Sequence, residues 1–202
     1  MQRISPETRR LLGGVACLDF ANSVDWASDG TERPAHTDVL TAPEHLVAWG
    51  QRLGIATPGV ALAMTGRELK AAKALRRAIH HTFAAIAAGN APDAAAVTQL
   101  ASDYHRAAAA SHLTQRDGRW QLDWPAGDAR RVRFAAAASA IDLLRDHARL
   151  SRVRMCPGSN CGWLFLDTSG RRQWCSMEVC GSRAKMRRLY QRQHQSPPAP
   201  PR

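Results

Sequence analysis

Apolar residues recur at helical spacing through the first three quarters of the chain, and polar caps mark where the repeats begin and end. Leu69, Ala72, Leu75, Ile79, Phe83 and Ile86 share one stripe of a 3.6-residue period. Thr65-Gly66-Arg67-Glu68 precedes that stripe as a capping box, in which the hydroxyl accepts from the third helical amide and the Glu reaches back; Gly89-Asn90 closes it. Thr41-Ala42-Pro43-Glu44 has the same form and predicts a helix to about Leu53, with Gly54 as the left-handed stop. Pro92-Asp93 opens a third helix with Val97, Leu100, Tyr104 and Ala108 on one face. Between His112 and Trp124 the pattern shortens to alternation, with Leu113, Trp120, Leu122 and Trp124 around Asp117-Gly118, which predicts a hairpin. A last long helix, about Asp128 to Leu150, places Phe134, Ala138, Ile141, Leu144 and Ala148 together. Ala, roughly one residue in six, favours helix throughout this stretch.

The chain changes character after Leu150. Residues 151–195 hold four of the five cysteines, and the string from Ser196 to Arg202 is Pro-rich and predicts a disordered tail. The predicted organisation is a helical domain over 1–150 with a small β-hairpin, a small cysteine-rich module over 151–195, and the tail 196–202. The fold class is mainly α. At 202 residues the chain is too short for a large multidomain enzyme. Hydrophobic residues at 45% and charged residues at 22% argue against disorder, and no apolar run is long enough for a membrane span, so no membrane partner is expected. The first ten residues have no apolar stretch ahead of their charges, so no secretory signal is expected and the cytoplasm is the expected compartment.

The cysteines read Cys156-Pro157-Gly158-Ser159-Asn160-Cys161, then thirteen residues, then Cys175-Ser176-Met177-Glu178-Val179-Cys180. Two pairs with identical spacing, each on a loop that can turn back, suit one Zn²⁺ held by four thiolates. Two disulfides are the alternative, disfavoured in a reducing compartment, and an iron–sulfur cluster would use the same ligand type. A closed four-thiolate shell leaves no position for water or substrate, so the ion is expected to be structural and the chain is not expected to be an enzyme. Trp163 to Asp167 and Arg172 to Trp174 flank Thr168-Ser169-Gly170, which reads as a second hairpin; the second cysteine pair then opens the following helix in a treble-clef-like arrangement.

Charge sharpens the division. The chain carries +11, and residues 145–202 hold 12 Lys and Arg against three acids, whereas residues 1–144 hold 16 against 14. A neutral body with a basic end is the electrostatic signature of a polyanion binder. Arg183, Lys185, Arg187, Arg188 and Arg192 fall on the expected last helix, with Arg172 nearby, and these six are the candidate nucleic-acid contacts. Duplex DNA is the expected polymer. Neutralising four or five phosphates gives a log–log salt slope of roughly −4, weak for a lone module, so a dimer or a further partner would be needed for specificity.

Cys156-x₄-Cys161-x-Trp163-x-Phe165-x-Asp167, followed by Arg172-x-Trp174-Cys175-Ser176-x₃-Cys180-Gly181-Ser182-Arg183-x-Lys185, resembles the CGNR zinc finger. Upstream, Gly14-x₂-Cys17-Leu18-Asp19-Phe20-Ala21-Asn22-Ser23 resembles the opening of the helical ABATE domain of stress-induced transcription regulators. The resemblance implies one zinc ion, DNA binding in transcription regulation, and ligand sensing by the helical domain, for which Asp19, Asn22 and Ser23 are the candidate contacts. The family motif has Asn where this chain has Ser182; Ser caps helices about as well as Asn, so the same fold is expected. Two other readings stay open: an RNA-binding module, with Trp163, Phe165 and Trp174 as stacking surfaces, and an enzyme in the helical domain with the finger as accessory. Cys17 and the histidines, including the adjacent His80-His81, read as ordinary core or surface residues.

Overall fold

The computed structural model describes residues 4–60 and 63–194; the Pro-rich segment 196–202 lies outside them. Seven helices dominate: α1 (Ala16–Ala21), α2 (Pro43–Arg52), α3 (Gly66–Ala87), α4 (Ala94–Ala109), α5 (Arg131–Arg145), α6 (His147–Leu150) and α7 (Ser182–His194). Two antiparallel hairpins complete the fold: β1 (His112–Arg116) with β2 (Arg119–Asp123), and β3 (Val153–Met155) with β4 (Leu164–Leu166). The fold is therefore mainly α with a four-cysteine module at its C-terminal end.

Helix α3 is the spine. Thr65 Oγ1 caps it by accepting from the Glu68 amide at 3.2 Å, and Gly89 ends it at φ +75°. Only half of the expected capping box forms, because the Glu68 carboxylate turns inward and binds Arg133 of α5 at 2.6 Å. The box expected at Thr41 is displaced by one residue. Pro43 occupies the first helical position, which its fixed φ favours, so Ala42 is the cap and the Thr41 hydroxyl meets His45 Nδ1 at 3.0 Å.

Helices α3, α4 and α5 pack together, and α1 lies against α3, α5 and β4. Leu18, Phe20, Leu46, Trp49, Leu75, Ile79, Phe83 and Leu143 fill the shared core. The buried face of α4 is Ala96, Leu100, Asp103 and Ala107, rotated one residue from the predicted face, and Val97 is exposed. Asp103 points inward because Arg133 of α5 reaches it as well as Glu68, tying three helices through one buried guanidinium. A second buried arginine, Arg76, donates to Asp38 at 2.7 and 3.0 Å, to Glu32 at 2.6 Å and to Ser23 at 3.2 Å.

The predicted long helix from Asp128 to Leu150 is broken at Asp146, whose extended backbone lets its carboxylate accept from the Arg149 amide at 3.0 Å and start α6 afresh. The β1–β2 hairpin forms as expected, with Asp117 and Gly118 both at positive φ, the type I′ turn that Asp-Gly favours.

Candidate metal centre and basic helix

The hairpin of the zinc module is not the predicted one. Strand β4 pairs with β3, which precedes the first cysteine pair, and not with Arg172 to Trp174. The latter segment cannot extend as a strand because Asp167 Oδ1 gathers the Ser169 amide, the Ser169 hydroxyl and the Arg172 amide into a closed turn. The Cys156–Cys161 loop thus becomes the tip of β3–β4. It is closed by Cys156 N–H donating to the Trp163 carbonyl at 2.9 Å and Cys161 N–H to Gly158 at 2.9 Å. A Cβ at Gly158 would stand 3.0 Å from Cys180 Sγ, so glycine lets the second pair close in without displacement.

In that second pair, Cys175 precedes a π-helical turn, Met177–Gly181, that carries Cys180 and is capped by Ser176 Oγ accepting from the Val179 amide at 3.3 Å. Ser182 is not the expected N-cap: its backbone is already helical, and its hydroxyl donates to the Met177 carbonyl at 3.1 Å. The π turn replaces the ordinary helix start, and Ser176 has taken the capping role six residues earlier.

The four sulfurs lie within 4.8 Å of one another. Cys161 to Cys175 is 3.8 Å and Cys175 to Cys180 is 3.6 Å, against an edge of about 3.8 Å for a tetrahedron built from Zn–S bonds of about 2.3 Å. The residues fit one structural Zn²⁺. Without an ion the four thiols compete for charge. Hydrogen bonds from Cys161 and Cys175 hold the Cys156 thiol down; donating to Cys156 pushes Cys161 and Cys175 up, and burial raises Cys180. Full ionisation of the cluster is what a divalent cation supplies. Phe165, buried, and Trp163 and Trp174, partly buried, pack around the sulfurs and form the small apolar centre of the module.

The module is joined to the helical body by groups from both. Asn22 Nδ2 donates to the Leu164 carbonyl at 2.7 Å and its Oδ1 accepts the Leu164 amide at 3.0 Å, pairing the outer edge of β4 as another strand would. Asp19 accepts the Gly13 amide at 2.7 Å, and burial raises its pKa; Gly13 in turn accepts from the Leu166 amide. Ser23 accepts from Arg76. All three residues proposed from sequence as ligand contacts are therefore buried and partnered within the protein.

Three members of this joint carry no sequence signature. Arg9, 5% exposed, stacks its guanidinium 4.4 Å from the Trp163 ring centre, donates to Asp25 at 2.6 Å and to the Asn22 carbonyl at 2.9 Å. His80 lies parallel to Trp26 at 3.7 Å and donates from Nε2 to the Gly162 carbonyl at 2.8 Å; burial lowers its pKa to about 4, so it is neutral near pH 7. Gly162 passes so close to the body that a Cβ there would meet the Ala27 carbonyl at 2.3 Å. Their partners are more than 50 residues away or belong to short polar segments, where periodicity says nothing.

The six basic candidates separate into two kinds. Arg172 is engaged inside the module: its guanidinium faces Phe165 at 4.4 Å and donates to the carbonyls of Leu12, Trp174 and Cys175 at 2.8, 3.1 and 2.7 Å. Arg183, Lys185, Arg187, Arg188 and Arg192 all lie exposed on α7, which buries none of its residues. None of the ion pairs among the described residues involves them.

Comparison with family models decides the lineage of this arrangement. The model of the ABATE family, described as "Putative stress-induced transcription regulator", matches residues 14–147. The chain belongs to the ABATE family. A second model, the CGNR zinc finger, matches residues 152–193 and covers the module just described. A comparison with curated proteins finds no match. In ABATE terms, the family's opening segment is here the joint that holds the finger, since α1 supplies Asn22 to β4. Among the described residues, no helix is long and apolar enough to cross a membrane.

Proposed function

We propose that this chain is a zinc-dependent DNA-binding regulator, with α7 as its polyanion-binding element and the helical body as a sensing or dimerisation domain. The observation that carries this reading is α7 itself. It is a helix about 20 Å long that packs chiefly against the π turn before it, and it presents five cations without an ion-pair partner among the described residues and with no acid among its own. At about 100° per residue, Arg183 and Arg187 flank one side of an exposed stripe of Met186, Leu189 and Tyr190, and Lys185, Arg188 and Arg192 flank the other. A helix so charged has the width of a major groove. Arg171 and Arg188 also line one groove beside α7, widening the cationic track.

Zinc has no chemical role in this proposal; its four thiolates leave no open position, and it orients the base of α7. The packing of Trp163, Phe165 and Trp174 against the cysteines weighs against an RNA module built on base stacking. Fluorescence anisotropy of labelled duplex DNA and of single-stranded RNA, at about 50 and about 200 mM salt, tests the reading. The zinc-loaded chain is expected to bind duplex DNA with a log–log slope of roughly −4 and to lose binding on chelation. Equal or tighter binding of single strands would favour the RNA module, and no binding to either polymer at low salt would overturn the proposal.

A further inference from the structure

The helical body contains a groove of about 650 Å³ between the β1–β2 hairpin and α5, lined by no residue of the zinc module. The hairpin is fastened at its base, where Trp124 Nε1 donates to the Ala107 carbonyl at 2.8 Å and Asp123 pairs with Arg131 at 2.6 Å. Beyond that base it stands away from the helices. Its register sets Leu113 opposite Leu122 and Gln115 opposite Trp120, so Leu113, Trp120 and Leu122 share one face. All three line the groove, yet Leu113 and Trp120 remain 66% and 69% exposed. Large apolar side chains gathered on one wall of a groove mark a binding surface more than a folding core.

The facing wall is shaped to leave room. Ala135, Ala138 and Ser139 of α5 present small side chains toward the hairpin. One part of the lining is cationic: Arg145 closes α5 and Arg149 lies in α6, and neither guanidinium has an ion-pair or hydrogen-bond partner among the described residues. Of the acids in the lining, Asp123 is already paired with Arg131, which leaves Asp142 against two free arginines.

We propose that this groove binds a small amphipathic carboxylate, its apolar part between the hairpin face and α5 and its carboxylate on Arg145 and Arg149. The volume is that of ordinary small-molecule sites, and a guanidinium pair matches a carboxylate in charge and in hydrogen-bond geometry. The two arginines lie on either side of the break at Asp146, and α6 leads within a few residues to β3 of the zinc module. A carboxylate held by both therefore ties α5 to the segment that enters the finger. The effect on DNA rests on the function proposed above; the binding site does not.

The test uses the full zinc-loaded chain with decanoate as the probe and decanol as its uncharged counterpart, followed by calorimetry and by indole emission. Decanoate is expected to bind saturably with a blue shift that Trp120→Phe abolishes. In an Arg145→Ala/Arg149→Ala variant, decanoate affinity is expected to fall about tenfold or more while decanol affinity stays the same. Absence of saturable decanoate binding to the wild type, or binding that survives both arginine substitutions, overturns the proposal. Zinc content and circular dichroism establish that the variants are folded. Duplex affinity with and without decanoate is a separate arm: a failure of the wild type to bind DNA counts against the regulatory function and leaves the groove result readable.

Discussion

The helical body and the zinc module hold themselves together by different means. Around the body's core, side chains from α1, α2, α3, α4 and α5 interlock, and two buried arginines tie acids from separate elements. The module's own centre comprises Phe165, Trp163, Trp174 and the four cysteines. Remove the ion and three aromatic side chains remain to order some thirty residues, far too little burial to offset the conformational entropy. Yet β3 and β4 also send Val153, Leu164 and Leu166 into the body's core. The module therefore depends on metal for its tip and on the body for its base, and the body in turn has part of its core completed by the module.

The largest perturbation of this balance is loss of the metal. Cys175→Ser is expected to abolish stoichiometric zinc, measured by elemental analysis, and to lower the thermal midpoint of the helical transition as well, because Leu164 and Leu166 lose their anchorage. Arg133→Ala acts on the body alone. It strands the Glu68 carboxylate in the interior and leaves Asp103 only Gln99 and Arg106, at a cost of about 3 kcal/mol by denaturant unfolding, with zinc content unchanged.

Asn22→Ala addresses the joint. It leaves both the amide and the carbonyl of Leu164 without their partner and should cost about 2 to 4 kcal/mol. If the two regions were independent, the same substitution would leave zinc affinity untouched; the joint predicts weaker zinc retention under chelator challenge.

The acid limb of stability separates the regions by pH. Burial works against the Asp38 carboxylate, but hydrogen bonds from Arg76 and its charge prevail and hold the folded pKa below 3.8. A depressed carboxylate contributes stability that is present above the unfolded value, about 3.9, and is lost as pH falls through the folded pKa. Asp38→Asn should therefore flatten the unfolding free energy below about pH 4 in chelator-treated protein, where zinc release no longer contributes. The smallest structural effect belongs to α7. Arg187→Ala should change stability by less than about 0.5 kcal/mol and leave zinc bound, while reducing the salt slope for duplex DNA by about 1.

What could be read from the sequence follows the range of each interaction. The Cys pairs were legible because a metal fixes ligand spacing locally, and the type I′ hairpin because Asp117-Gly118 carries its own backbone requirement. Helix α3 was legible in register and in both caps. The β3–β4 pairing was not, since strands of three residues show no period and Arg172 to Trp174 imitates a strand while its amide closes a turn. The break at Asp146 lies inside an Ala-rich run whose propensity is continuous, and the rotated face of α4 depends on Arg133, 30 residues away. The same holds for Asn22, which a sequence reading places at a ligand and the fold places against β4.

Hydrogen–deuterium exchange of the zinc-loaded and chelated protein is the most direct test that metal, module and body form one structure. The account predicts that chelation removes protection from residues 153–181 and also raises exchange in α1 around Asn22 and in α3 around His80, the two body elements that hold β4 and Gly162. Loss of protection confined to the cysteine loops, with α1 and α3 unchanged, would contradict it.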